Sequence, residues 1–293
     1  MKIDYEYLTR IRRSVALCTR RKTTNLLDGD FRSIHRGRSM EFDDLKEYTF
    51  GDDVHDIDWK SSSRMGTILV RRYMSDRRHN VMFICDRGAK FLGDTQKGES
   101  KKDLLLMTFG SIAYIVGRNG SDFALAYPDE NGANISYFKS GSDYLERLLY
   151  EFEKRVDTDA RITFDDTVRS VLDQARKHMI IFLITDIEGL SSLRDETIKS
   201  ISENHDLFIM CIDDAYLTGD NVYDNDDSRY VKFFLSHSKS LHNEEVKMRR
   251  EVMEHISNVC RQNMACQTTV SRQEDIIDKT IDLFERYRNG YFG

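Results

Sequence analysis

Three short, largely apolar segments constrain the fold of this 293-residue chain more than any other feature. They lie at 81–85 (VMFIC), 179–186 (MIIFLITD) and 206–212 (DLFIMCI). Strands without alternating polar residues are typical of parallel sheets that are covered on both faces. Segments with helical periodicity alternate with these runs, as they do in βαβ units. We therefore predict a doubly wound α/β fold of the Rossmann type, a mainly parallel sheet with helices on both faces.

Weaker patterns complete the predicted elements. Helices are predicted at 5–22, 100–117, 142–155, 164–178, 193–204, 246–263 and 274–288. Additional strands are predicted at 67–73, 122–127 and 134–138, with Pro128 in the turn between the last two. We expect an N-terminal helix and motif segment (1–78) packed on a main α/β domain (79–293).

The composition favours a cytoplasmic protein. No apolar run approaches the roughly 20 residues that span a bilayer, and the first residues lack the apolar core of a signal peptide. The five cysteines are scattered without a C-x-x-C pair, as expected of reduced thiols. A net charge of −6 does not favour nucleic acid as a partner. Basic runs at 10–22 and 71–79 leave nucleic acid or acidic lipid as a weaker alternative.

Two of the apolar strands end in an aspartate, at Asp86 and Asp186. The carboxyl ends of parallel strands meet at the edge where α/β proteins bind ligands. The two carboxylates could therefore share a divalent cation such as Mg²⁺, which prefers oxygen ligands. The plainer interpretation is that each is the N-cap of a helix. The sequence has no glycine-rich phosphate loop, so we expect no nucleotide cofactor.

Residues 33–86 contain a more specific pattern, which follows E-F-x-x-L-R-E-Y, G-D-D-x-R-x-I-D-W and A-R-x-G-x-L-x-V. The matching residues are Glu41, Phe42, Leu45, Glu47, Tyr48, Gly51, Asp52, Asp53, Ile57, Asp58, Trp59, Arg64, Gly66, Leu69 and Val70. On this pattern the chain resembles the prokaryotic family filed as domain of unknown function fifty-eight. His55 and Lys46 depart from the pattern, since the family usually has arginine at both positions.

The resemblance implies a fold and a setting more than an activity. Members of the family contain a von Willebrand factor A-like domain and are typically encoded beside MoxR-type AAA+ ATPases. They are thought to act with these ATPases as chaperone-like adaptors in the assembly or maturation of complexes. We therefore expect a non-enzymatic, protein-binding adaptor with a MoxR-type AAA+ ATPase partner and an unknown client.

The von Willebrand A-type metal site uses a D-x-S-x-S loop, a threonine from another loop and an aspartate after a later strand. The corresponding loop here reads DRGAK, so Gly88 supplies no hydroxyl and Lys90 would repel a metal ion. Lys90 could instead neutralise both aspartates. We expect a degenerate, metal-free site at Asp86, Thr163 and Asp186. A Mg²⁺-dependent ligand-binding domain is the alternative.

The motif crowds four aspartates, Asp52, Asp53, Asp56 and Asp58, into seven residues. Their mutual repulsion requires nearby arginine or lysine side chains, from this chain or from a partner. We expect Trp59 to be mostly buried. The segment is then either a structural brace or a partner-binding surface. Its residues are Glu41, Tyr48, Asp52, Asp53, Asp58, Trp59 and Arg64.

A hydrolase that uses the motif aspartates is a second alternative. Such an enzyme would need clustered carboxylates, or a nucleophile and a base, in a cleft. No Ser–His or Cys–His spacing supports this reading. We therefore expect no catalytic residues.

Overall fold

The computed structural model describes residues 6–19, 42–49, 52, 54–73, 80–218, 223–224, 229–230 and 237–293. By its contacts the chain divides into a sheet unit, Met1–Asp30 with His79–Gly293, and a motif unit, Phe31–Arg78. Helix α1 (Glu6–Thr19) belongs to the sheet unit. The boundary expected from the sequence groups this helix with the motif segment, because a sequence pattern does not reveal the packing partners of a helix.

The motif unit contains a two-stranded antiparallel sheet and a short helix. Among its described residues, the elements are β1 (Phe42–Glu47), the 3₁₀ turn Val54–Asp56, α2 (Trp59–Met65) and β2 (Leu69–Tyr73). Asp58 is the N-cap of α2 and accepts hydrogen bonds from the backbone N–H groups of Lys60 and Ser61. Gly66 ends the helix with a φ of 74°, a conformation that glycine adopts without strain. The strand predicted at 67–73 is confirmed.

Six strands form the main sheet of the sheet unit. They are β3 (Asn80–Cys85), β4 (Asp122–Asp129), β5 (Gly132–Ile135), β6 (Ile180–Thr185), β7 (Asp206–Ile212) and β10 (Cys266–Val270). The short strands β8 (Tyr223–Asp224) and β9 (Arg229–Tyr230) lie between β7 and β10 in the sequence and pair only with each other in the described residues. The spatial order is β10-β7-β6-β3-β4-β5, and only β5 pairs antiparallel. When these six strands are numbered 1 to 6 along the chain and read from β5 to β10, their order is 3-2-1-4-5-6, as in doubly wound folds. The predicted fold class is therefore confirmed.

Helices cover both faces of this sheet. They are α3 (Lys101–Arg118), α4 (Ser142–Glu153), α5 (Phe164–Gln174), α6 (Ile187–Ser192), α7 (Asp195–Asn204), α8 (Lys239–Gln262) and α9 (Ile276–Arg288). Helices α1, α3, α4 and α9 pack together on one face, and α5 to α8 pack together on the other. Within the described ranges, none of these helices has the length and apolarity needed to cross a membrane.

Helix α1 is fixed to the sheet unit by an apolar stripe. Leu8, Ile11 and Val15 are buried where α1 contacts α3 and α4. The backbone N–H of Leu8 also donates to Glu146 Oε2 at 3.2 Å. Gly110 in α3 allows the close approach, because an added Cβ there would lie 2.5 Å from Ile11 Cδ1.

Stacked aromatic rings fill the core beneath α3 and α9. Phe182 in β6 stacks on Phe83 and on Phe208, with 5.2 Å between ring centroids in both cases. Phe284 of α9 packs edge-on against Phe182 at 6.1 Å. These four side chains are fully buried. The apolar runs form strands of this sheet because helices cover both of its faces, so side chains that point to either face are buried.

Two strand predictions need correction. Pro128 lies inside β4 and pairs with Ala133, rather than in the turn. Past Ala126 the strand pairs with β5 alone, so one side of its backbone needs no ladder hydrogen bonds and proline is tolerated. Strand β10 was not predicted, because its sequence, CQTTV, is mostly polar, as expected of a strand paired only with β7.

Candidate functional site

Asp86 and Asp186 meet at the carboxyl edge of the sheet. They directly follow the neighbouring parallel strands β3 and β6, and the backbone N–H of Asp86 donates to the carbonyl of Ile184 at 2.9 Å. Both aspartates are buried. Two carboxylates held side by side away from water require compensating charge, because burial of an unpaired ion is strongly unfavourable.

Lys90 supplies part of that charge. It lies on the 3₁₀ turn Ala89–Leu92, and its Nζ is 2.7 Å from Asp86 Oδ2 and 3.1 Å from Asp186 Oδ1. Glu188 is a more distant partner at 3.9 Å. Lys90 therefore bridges Asp86 and Asp186, which is the neutralising role that the sequence suggested for this lysine.

Lys101 supplies the rest, and sequence reasoning missed it. Its side chain is only 1% exposed, and its Nζ is 2.8 Å from Asp186 Oδ2 and 3.1 Å from Asp214 Oδ1. In the sequence, the pair Lys101 and Lys102 at the start of a helix has the pattern of solvent-exposed side chains. Its position in the first turn of α3 could have revealed it, because a cation at a helix N-terminus is unfavourable unless nearby carboxylates offset its charge. We call Asp86, Lys90, Lys101, Asp186 and Asp214 the edge cluster.

Further hydrogen bonds fix the carboxylates of the edge cluster. Asp86 Oδ1 accepts from the backbone N–H of Arg87 at 2.8 Å, and Asp86 Oδ2 accepts from Thr185 Oγ1 at 2.6 Å. Asp186 Oδ1 accepts from the backbone N–H of Gly189 at 3.0 Å. Asp186 is thereby the N-cap of α6, as its plainer interpretation predicts.

The pKa values follow from burial and charge. Burial raises the pKa of Asp86 in spite of Lys90. Burial also disfavours ionised Asp186, but the charges of Lys101 and Lys90 outweigh it and lower the pKa of that carboxyl. Burial would lower the pKa of Lys90, yet the neighbouring Asp86 and Asp186 raise it. Lys90 and Asp186 are therefore held in their charged forms at neutral pH.

The residues present do not fit a divalent cation. The Lys90 ammonium lies within 3.1 Å of an oxygen of both edge aspartates, where a metal ion would bind. Gly88 offers no hydroxyl. Thr163 forms a capping box with Asp166 at the start of α5, so its hydroxyl serves that helix instead. Across the part of the chain that the structure describes, no group of three or more His, Cys, Asp or Glu is arranged to hold a metal.

Gly189 provides a stability test of this packing. We expect Gly189→Ala to lower the free energy of unfolding by about 1–3 kcal/mol, against the usual preference for alanine in a helix. The added Cβ would lie 1.8 Å from Thr185 Oγ1 and 2.3 Å from Asp86 Oδ2, so their hydrogen bond must give way. Urea unfolding measures the loss. Gly93→Ala is the control, since its Cβ would meet nothing closer than 3.8 Å; equal losses would contradict the prediction.

Two of the motif aspartates, Asp52 and Asp58, hold this segment together. Asp52 pairs with Lys46 at 2.6 Å and accepts from the backbone N–H of Thr49 at 2.9 Å. These bonds, led by that from Lys46, lower the pKa of Asp52 to about 2. Asp58 caps α2 and pairs with Arg71 at 3.3 Å. Tyr48 is half-buried. Glu41 and Asp53 lie outside the described residues.

Trp59 is 68% exposed, so the expectation that it is mostly buried was wrong. It is the first residue of α2, and the two-stranded sheet of the motif unit is too small to cover it. Three other large apolar side chains nearby in the sequence, Val54, Met65 and Ile68, are also exposed. The motif segment is therefore braced by Asp52 and Asp58, and it exposes these four apolar side chains while Leu69 and Val70 are buried.

Comparisons with known proteins agree with the motif. The family described as "Protein of unknown function DUF58" matches residues 44–218, more than half of the chain. No curated protein matches the sequence significantly.

Solved structures are similar only at a distance. The conserved hypothetical protein BatB from Bacteroides thetaiotaomicron is 9% identical with a TM-score of 0.45, over 72% of this chain and 99% of that one. A von Willebrand factor type A structure from Catenulispora acidiphila is 11% identical with a TM-score of 0.38, over 76% and 44%. The PilB minor pilin from Streptococcus sanguinis is 12% identical with a TM-score of 0.44, over 77% and 66%. Similarity this low carries no functional argument, whereas the family match covers residues 44–218, which include the motif residues from Leu45 to Val70. The chain belongs to the family described as Protein of unknown function DUF58.

Proposed function

We propose that this protein is a non-enzymatic protein-interaction adaptor that works in the cytoplasm with a MoxR-type AAA+ ATPase, in a chaperone-like role on a client complex. The observation that carries the proposal is the exposure of Trp59 on a braced helix. Exposed apolar groups rimmed by polar residues are typical of protein-binding sites. Tryptophan and arginine are also enriched among the residues that dominate binding energy.

The helix that presents Trp59 is held in place before any partner arrives. Asp58 caps its start and pairs with Arg71. The hydroxyl of Ser62 accepts from the backbone N–H of Leu69 at 2.8 Å, which fastens α2 to β2. A side chain presented by a fixed helix loses little conformational entropy on binding, so more of its contact energy appears as affinity.

The charge on α2 indicates the chemistry of the partner. Lys60 and Arg64 are exposed, and neither forms an ion pair with another residue in the described ranges. They lie one helical turn apart beside Trp59. This combination suits an acidic segment of a partner that also offers an apolar group to the indole.

The alternatives have less support. Asp52 and Asp58 are engaged by cations and backbone N–H groups, which leaves a hydrolase little free carboxylate to use as a base. A Mg²⁺-dependent binding site would have to displace Lys90. The cytoplasmic setting is supported by Cys85, Cys211, Cys260 and Cys266, which are buried and unpaired.

A pull-down of the tagged protein from its own cells, with and without ATP, tests the proposal. We expect nucleotide-dependent recovery of an AAA+ ATPase, and about tenfold lower recovery with Trp59→Ala. Tyr137→Ala is the matched control, because that side chain is 90% exposed and lies in the sheet unit. Neither variant should change Tm by more than a degree or so, since both residues are exposed. Absence of the ATPase, or equal recovery by Trp59→Ala and wild type, would count against the adaptor.

A further inference from the structure

Lys90 covers the edge aspartates from the side nearer to solvent. Its side chain is 17% exposed, whereas that of Lys101 is 1% exposed. Glu188, its distant third partner, is largely exposed. Lys101 is thus the inner cation of the edge cluster, and Lys90 is the outer one that an ion from solvent would have to replace.

The oxygens that Lys90 binds are positioned without it. Asp86 keeps its hydrogen bonds from the Arg87 backbone and from Thr185. Asp186 keeps its ion pair with Lys101 and its hydrogen bond from the Gly189 backbone. Removing the Lys90 ammonium would therefore leave two fixed carboxylate oxygens, Asp86 Oδ2 and Asp186 Oδ1, facing a gap.

Such a gap suits a hard divalent cation. Mg²⁺ binds through one or two carboxylates and keeps several waters. Lys90 provides a single positive charge through its own side chain, so the effective concentration of that charge does not depend on the ions in solution. The same oxygens cannot hold both cations, because an ammonium and a divalent ion about 3 Å apart repel strongly.

We infer that Lys90 is the built-in cation of this sheet edge. It takes the place of a divalent ion between Asp86 and Asp186, so the edge is complete without metal and becomes a divalent-cation site only when Lys90 is removed. The inference concerns the sheet unit alone and does not depend on the proposed partner.

The test compares Tm for wild type and Lys90→Ala with EDTA and with about 10 mM Mg²⁺ or Ca²⁺. In EDTA, Lys90→Ala should melt below wild type, because two buried carboxylates then face each other. The divalent ion should raise its Tm by about 3 °C or more, reversibly. Wild type should show no shift.

Lys102→Ala is the matched control. Lys102 pairs with the single carboxylate of Asp157 at 2.8 Å, so its loss should not create a cation response. Lys90→Ser replaces Lys90→Ala if the latter does not fold. A Mg²⁺-dependent Tm rise or heat of binding in wild type would overturn the inference, as would a folded Lys90 variant that responds no more than Lys102→Ala.

Discussion

Replacement of Lys101 by methionine is expected to lower the free energy of unfolding by about 3–5 kcal/mol. Methionine keeps most of the volume of the side chain but removes the charge between Asp186 and Asp214. Asp186 is fully buried and would lose its inner ion pair. Asp186 keeps Lys90 at 3.1 Å, so the penalty is that of removing one of the two cations of a buried carboxylate, which is larger than the net contribution of the pair itself. Urea unfolding at neutral pH gives the difference.

Lys102→Met is the control for this experiment, because it removes the adjacent lysine of the same helix. Its ion pair with Asp157 joins side chains that are 26% and 23% exposed. Water screens such a pair, so we expect a loss of about 1 kcal/mol or less. A Lys101→Met variant as stable as Lys102→Met would show that Asp186 and Asp214 do not need the Lys101 charge, and would contradict our account of the edge cluster.

Replacement of Phe182 by alanine is expected to cost about 3–5 kcal/mol of unfolding free energy. The residue lies in the central strand β6 and contacts the rings of Phe83, Phe208 and Phe284. Its loss removes three aromatic contacts and leaves a cavity bounded by rigid strands, which cannot close around it. Denaturant unfolding measures the change, and hydrogen exchange should show faster opening of β3, β6 and β7.

Phe292→Ala is the comparison for Phe182→Ala. Phe292 is half-exposed near the C-terminus and contacts the ring of Tyr287 at 5.8 Å. Less apolar surface returns to water there, and no closed cavity forms, so we expect a loss of about 1 kcal/mol. A smaller loss for Phe182→Ala than for Phe292→Ala would mean that the aromatic stack is not the centre of the core.

The sequence predicted the sheet well because burial on both faces leaves a strong pattern. The runs at 81–85 and 179–186 contain strands β3 and β6. Strand β10 escaped prediction because an edge strand with neighbours on one side tolerates polar residues such as Thr268 and Thr269. Pro128 was assigned to a turn because the absence of a second pairing partner for that part of β4 is a tertiary property.

The candidate site was only partly predictable, for a related reason. Asp86, Lys90 and Asp186 could be connected because two strand ends and one short loop bring them together. Lys101 and Asp214 belong to the same cluster but lie 85 and 28 residues from Asp186 in the sequence, without a motif that links them. The exposure of Trp59 could not be read from its size, since it depends on how small the motif unit is.

The packing of helix α1 has a consequence for synthesis of the chain. Its stripe of Leu8, Ile11 and Val15 is synthesised well before its partners in α3 and α4. The hydrogen bond from Leu8 to Glu146 spans 138 residues. At translation rates of about 5–20 residues per second, roughly 7–28 s pass before Glu146 follows Leu8. During that interval the stripe lacks its native partners in α3 and α4, so the nascent chain carries an uncovered apolar stripe that ribosome-associated chaperones can bind.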